Sequence, residues 1–167
     1  ARVEEMDVRI SGGKISEKGA ALPKRDGETV LDLSGKFLAP GMVCAHTHLY
    51  SSLSRGMPGP QEPPANFPQI LERVWWRLDR ALDEEAIYYS AAVGLLDAIA
   101  CGTTTIIDHH ASPGRITGSL KLMKSVFETF GMRGVLCYEV TDRGGMEERD
   151  AGLAENLWML EHQRDLV

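Results

Sequence analysis

Apolar and polar positions alternate in short runs at the start of the chain, over residues 6–10, 14–16, 28–33 and 36–38, with Ser11-Gly12-Gly13 and Ser34-Gly35 as breaks. Period-two patterning interrupted by glycine turns predicts a small β module over residues 1–38. From Pro40 the rhythm changes. Residues 42–48 form an apolar run of strand length, and the stretch 50–68 that follows (YSSLSRGMPGPQEPPANFP) is too rich in proline and glycine for any regular element. Loops of that length are usually functional or disordered. The spacing then predicts helices over 69–82 and 84–100, the second opened by Asp83 as its N-cap and closed by Gly102. Residues 103–108 (TTTIID), a β-branched run too short for a helix, read as a buried strand. Past Ser112-Pro113-Gly114 come a helix over 117–130 ended by Gly131, a strand over 132–140, a loop over 142–145 and a last amphipathic helix over 147–164.

Strand and helix alternating three times from Pro40 onward is the pattern of a parallel sheet with right-handed crossovers, and the second and third strands start about 30 residues apart, as in a βαβ unit. A doubly wound sheet would usually carry a Gly-rich phosphate loop after a strand, and neither G-x-G-x-x-G nor a P-loop occurs. A (β/α)₈ TIM barrel keeps its chemistry at the C-terminal ends of its strands, where this sequence has His46 and His48, then Asp108, His109 and His110, then Glu139 and Asp142. The expectation is therefore an α/β fold with the first three β/α units of a barrel over residues 39–167. A complete barrel takes about 250 residues, so the chain is expected to be the N-terminal portion of something larger.

Residues i and i+2 of a strand share a face, so His46 and His48 would project together from one strand end and offer two imidazoles to a metal. H-x-H alone is a weak motif; the strand end, the Pro-Gly entry and the long loop behind it are what strengthen it. His109 and His110 are adjacent, so at most one enters a pocket, and the alternative for either is a strand-end histidine tied to loop backbone. Asp108 suits capping or orienting. Glu139 and Asp142 are open between a pocket role and a solvated turn or helix cap. Tyr50 and Arg55 belong to the segment 50–57, which overhangs the strand end and is expected to face substrate, with loop anchoring as the alternative for Arg55.

Composition narrows the partner. At 167 residues, with 43% hydrophobic and 25% charged residues, the chain has the make-up of a globular domain. A formal net charge of −6 without any Lys/Arg-rich run argues against nucleic acid or an anionic membrane surface, and leaves a small molecule as the expected partner. Cys44, Cys101 and Cys137 are odd in number, widely spaced and set in apolar segments, which fits buried thiols in a reducing cytoplasm. The opening ARVEEMDVRI has neither a basic start nor an apolar core of signal-peptide length, and no apolar stretch approaches the length of a membrane span. A partial barrel should also expose apolar edges that favour association, so a homo-oligomer stays open.

The stretch PGMVCAHTHLYSSLSRGM resembles the first-strand signature of the amidohydrolase superfamily, in its cytosine/guanine deaminase and chlorohydrolase-like branch. CGTTTIIDHHASP and CYEVTDRGG are similar to the second and third strands of aminohydrolases of the SsnA type. The resemblance implies that residues 1–38 are half of a small composite β-sandwich domain and that the barrel holds one divalent metal, zinc ahead of iron. His46 and His48 match the two first-strand ligands. The family's further ligands, two histidines and an aspartate, and its proton-shuttling glutamate come from later strands, so no catalytic residue is expected within these 167 residues and the fragment alone is expected to be inactive. The implied activity is hydrolytic deamination of a nitrogen heterocycle such as a purine or pyrimidine, with release of ammonia. A binuclear cyclic-amide hydrolase and a non-catalytic barrel are the alternatives. Related deaminases line the pocket with an aromatic near Trp76, which adds Trp76 to Tyr50, Arg55, His109, His110 and Glu139 as candidates for substrate contact.

Overall fold

Parallel pairing of three short strands organises the larger part of the molecule. The computed structural model describes residues 3–162, and the chain divides at Ala39 and Pro40 into two units, each taken by itself below.

In the first unit, β1 (Asp7–Ser11) and β2 (Lys14–Gly19) form an antiparallel hairpin closed by Gly12 and Gly13, whose φ of 58° and 73° is backbone that glycine adopts without a Cβ clash. Arg9 holds the following loop onto it. Its guanidinium bonds Glu17 and Glu28 and donates to the carbonyl of Pro23 at 2.7 Å. The strands expected over 28–33 and 36–38 do not form: these residues have no ladder partner, and Val30, Leu31, Phe37 and Leu38 are exposed. Alternation of apolar side chains marks a strand only where a neighbouring strand completes the hydrogen bonds, and none among the described residues does so.

In the second unit, β3 (Met42–Thr47), β4 (Thr103–His110) and β5 (Arg133–Tyr138) lie in the order β3-β4-β5, all parallel. β4 runs two residues beyond the expected 103–108 and so takes both His109 and His110 into the ladder, opposite Cys137 and Tyr138. Helices fill the connections. Asn66 caps α1 (Phe67–Ile70) through the amide of Gln69, a π-helical turn covers Leu71–Trp75, and α2 (Trp76–Arg80) completes the stretch. The helical stretch starts two residues ahead of the expected 69 because Pro68 occupies a first-turn position, where its missing N–H costs nothing. α3 (Glu84–Ala100) has Asp83 as its cap, accepting from the Ala86 amide at 2.8 Å. α4 (Ser119–Phe130) ends on Gly131 at φ 63°, and α5 (Met146–His162) closes the described chain; the expected continuation to 164 lies outside the described residues. No helix of the described residues is long and apolar enough to cross a membrane.

The helices cover one face of the sheet. Ile106, Leu136 and Tyr138 from the strands pack with Ile87, Leu95, Leu120, Met123, Phe127 and Met159 into a single buried cluster. On the opposite face Val43, Ile107 and Val135 are exposed. His110 lies on the helix side, wholly buried, so of the adjacent pair expected to send at most one ring into a pocket it is the one turned away from the exposed face. The Ser112 hydroxyl donates to the Arg115 carbonyl at 2.9 Å, so it accepts the Nε2–H of His110, also at 2.9 Å, and the ring is neutral. Burial pushes the imidazole pKa down to about 3. The alternation that sends His109 one way and His110 the other is ordinary pleating.

Close approach also fixes the turn after β3. Gly94 of α3 faces it, and a Cβ there would sit 2.6 Å from Leu49 Cδ2 and from Ser52 Oγ. A helix-interior glycine costs roughly 1 kcal/mol against alanine, so its presence is explained by this contact.

Gly94→Ala should therefore lower stability by about 1–3 kcal/mol in urea melts in spite of the better helix propensity, and an unchanged or raised midpoint would refute the contact. His110 gives a pH signature. Its folded pKa lies below the ordinary value near 6.5, so between about pH 6.5 and 3 the unfolded chain binds more protons and stability falls as pH falls. Comparing urea midpoints at pH 6.5 and pH 5, His110→Asn should remove up to about 2 kcal/mol of that acid loss, since each unit is worth 1.36 kcal/mol; identical losses in the two proteins would contradict it.

Candidate metal centre

Two imidazoles meet at the C-terminal end of β3. His46 lies within the strand and His48 one residue past its end, and their Nε2 atoms stand 3.1 Å apart. Pleating alone does not produce this. Between the Cys44↔Ile106 and Thr47↔Asp108 pairs β3 carries one residue more than β4, a bulge of the kind that re-aims side chains near functional sites. The backbone then leaves the strand at His48 with φ −133° and ψ 79° and enters a 3₁₀ turn over Leu49–Ser51.

The protonation of His48 follows from its partner. Its Nδ1 lies 2.9 Å from the carbonyl of His109 on β4, and a carbonyl only accepts, so Nδ1 carries the hydrogen. With the hydrogen on Nδ1, the other ring nitrogen, Nε2, is the one aimed at His46. Histidines that ligate metals characteristically donate their second ring nitrogen to a carbonyl or carboxylate in this way. Two nitrogens on a tetrahedral zinc, each about 2.0–2.1 Å from it, stand about 3.3 Å apart, close to the spacing seen. The donor chemistry therefore fits a divalent metal as two of its ligands. Among the described residues no third His, Cys, Asp or Glu joins them.

The cleft in front of the pair is lined by Ala45, His46, Thr47, His48, Ile107 and His109, on the exposed side of the sheet. His109 presents its ring edge-to-face to His48 with centroids 5.4 Å apart; burial, then the two neighbouring imidazoles, hold its pKa below the ordinary value, and its Nδ1 is buried without a hydrogen-bond partner among the described residues. Tyr50 lies behind the histidines, buried, with its ring 5.8 Å from His48 and 5.7 Å from His110. Burial and the carboxylates of Asp79, Glu139 and Asp108 push its phenol pKa far up.

The aromatic beside the site is Trp75, 6.4 Å from His48 and 6.3 Å from Tyr50, whereas Trp76 stacks under the Arg143 guanidinium at 5.1 Å. The π-helical turn ending at Trp75 adds a residue to the helical repeat, and a sequence pattern of period 3.6 gives no sign of it. Arg55 is exposed, 3.9 Å from Asp97, and Glu139 lies 3.8 Å from Arg143, so neither lines the cleft. Two carboxylates are buried near this strand end, and of the two sequence reasoning missed Asp79. Asp79 of α2 bonds Arg143, tying that helix to the loop after β5, and burial raises its pKa. Asp108, wholly buried, accepts from the amide of Leu49 at 2.7 Å.

Comparison with known proteins agrees with this geometry. The model of the amidohydrolase family matches residues 37–163. A 5-methylthioadenosine/S-adenosylhomocysteine deaminase from Thermococcus sibiricus is 29% identical over 159 residues, covering 95% of this chain and 35% of that protein. A variant of the atrazine chlorohydrolase TrzN from Arthrobacter aurescens, complexed with zinc and atraton, superposes with a TM-score of 0.67 at 26% identity, over 81% of this chain and 31% of that one. Guanine deaminase from E. coli shares the fold, with a TM-score of 0.70 at 19% identity over 92% of this chain and 36% of that one. The chain spans about a third of the length of the curated relatives it matches. With a parallel sheet resembling part of a TIM barrel and a family match over most of its residues, the chain belongs to the amidohydrolase family.

Proposed function

We propose that residues 40–162 supply the first three strands of a metal-dependent aminohydrolase that removes ammonia from a nitrogen heterocycle of the purine or pyrimidine class. One observation carries the reading: two Nε2 atoms 3.1 Å apart, one of them with its tautomer fixed by a backbone carbonyl. His46 and His48 would hold one divalent ion, zinc ahead of iron, because imidazole suits both and a solved relative carries zinc. Such an ion supplies water activation and polarisation at neutral pH. Two imidazoles make an incomplete ligand set, so the remaining donors and the general acid/base would come from segments beyond those described, consistent with the third of each relative's length that the chain spans.

The chain's own residues do the rest of the work at this end. The His109 carbonyl orients His48 through its Nδ1–H, and the His109 ring, facing the cleft, would touch a heterocycle over the histidines. Tyr50 and Trp75 form the aromatic wall behind His48. Among the other sequence candidates, Trp76 stacks on Arg143, Glu139 lies 3.8 Å from the same guanidinium, Arg55 lies exposed in the loop, and His110 is buried on the helix side of the sheet. The names of the relatives favour deamination over cyclic-amide hydrolysis. The narrower SsnA-type placement and the composite β-sandwich rest on the sequence resemblance alone.

In the complete protein, ammonia release from purines and pyrimidines should need one zinc or iron per chain. His46→Ala and His48→Ala should each lower it at least about a hundredfold together with metal content, and a chelator should do the same reversibly. Full turnover by the metal-free protein would refute the proposal, and two metals per chain would move it to the binuclear cyclic-amide class.

A further inference from the structure

Consecutive residues of β4 grip the same histidine from two directions. Asp108 Oδ1 accepts from the amide of Leu49, the residue directly after His48, at 2.7 Å, and the carbonyl of His109 takes the ring proton of His48 at 2.9 Å. The remainder of the turn is held by other groups. Ser51 bonds the carbonyl of His48 through its hydroxyl at 2.8 Å, and Ser90 of α3 donates to the carbonyl of Tyr50 at 2.9 Å while accepting from the amide of Leu53 at 3.2 Å. The backbone step out of β3 that sets the direction of His48 is thus pinned from the strand side by Asp108.

Stability does not account for a carboxyl group at this place. Asp108 is wholly buried, and its Oδ2 has no hydrogen-bond partner among the described residues. A buried carboxyl group with half of its hydrogen-bonding capacity unused is costly, and an apolar side chain of similar shape would pack the position at lower cost. What an apolar side chain could not do is receive the Leu49 amide.

We propose that Asp108 is a positioning residue for the two-histidine centre: by holding the Leu49 amide it fixes the aim of His48 Nε2 at the point where His46 Nε2 also arrives. The inference rests on the metal reading of His46 and His48, and its test is chosen to separate the two. Asp108→Asn keeps an acceptor oxygen, Asp108→Leu keeps the branched shape without one, and Ser90→Ala loosens the same turn farther on. Ring-nitrogen NMR of His48 in the metal-free full chain reads its tautomer, and a competitive zinc titration reads the affinity.

The wild type and Asp108→Asn should show His48 as the Nδ1–H tautomer, with zinc affinities within about threefold of each other. Asp108→Leu should shift the ring signals to those of an imidazole exchanging between tautomers and weaken zinc roughly 10–100-fold. Ser90→Ala should lower the melting temperature and leave the His48 signals in place. Should Asp108→Leu fail to fold, Asp108→Ala gives the same readouts with less bulk. Folded Asp108→Leu or Asp108→Ala with wild-type His48 signals would overturn the proposal, as would Asp108→Asn behaving like Asp108→Leu, or Ser90→Ala moving the signals equally. A wild-type chain that binds no zinc contradicts the metal reading instead, while the ring signals still decide the role of Asp108.

Discussion

The hydrogen bond from His48 Nδ1 to the carbonyl of His109 joins the strand that carries the chemistry to the strand that supports it. Its donor fixes a tautomer and its acceptor fixes a register, since the carbonyl lies where it does only because β4 continues as a strand through His110. Strand pairing places the contact, and the ring orientation of His48 and the direction of its Nε2 follow from it. The bulge in β3 and the turn over Leu49–Ser51 are the local distortions that let the ring reach it.

That contact is placed by a core on one side of the sheet only. Ile106, Leu136 and Tyr138 face the helices, and the buried hydrogen bonds between His110 and the Ser112 hydroxyl and between the Ser112 amide and Tyr138 pair part of the polar surface that the strand end brings inside. The cleft opens on the other side, beside the exposed Ile107 and Val135. Alternation along β4 therefore sorts four consecutive residues into two jobs: Ile107 and His109 face the cleft, while Asp108 and His110 face the helices. The close approach at Gly94 sets the turn against α3, so the helix layer as well as the neighbouring strand positions the histidines.

Much of this was legible in the sequence. The bounds of α3, its Asp83 cap and the glycine stop at Gly131 follow from local chemistry that tertiary contacts do not override. The three parallel strands and the pairing of His46 with His48 followed from alternation of elements and from a motif at a strand end. The failures have a common cause, which is that they depend on partners distant in sequence. Residues 28–33 alternate like a strand but find no pairing strand among the described residues. Trp75 takes the place expected of Trp76 because a π-helical turn shifts the helical repeat by one residue. Asp79 and Arg143 are separated by 64 positions, so their pairing is not visible as a motif; for Asp108 the orienting role was legible and only its partner, an amide 59 positions away, was not.

The most direct test of the account is X-ray absorption at the zinc edge of the zinc-loaded chain, compared with His46→Ala and His48→Ala. The account predicts nitrogen scattering at about 2.0–2.1 Å with the outer-shell pattern of two imidazoles, reduced to one imidazole in each variant. An oxygen-only shell, or a spectrum that neither substitution alters, would show that the convergence of His46 and His48 serves something other than a metal.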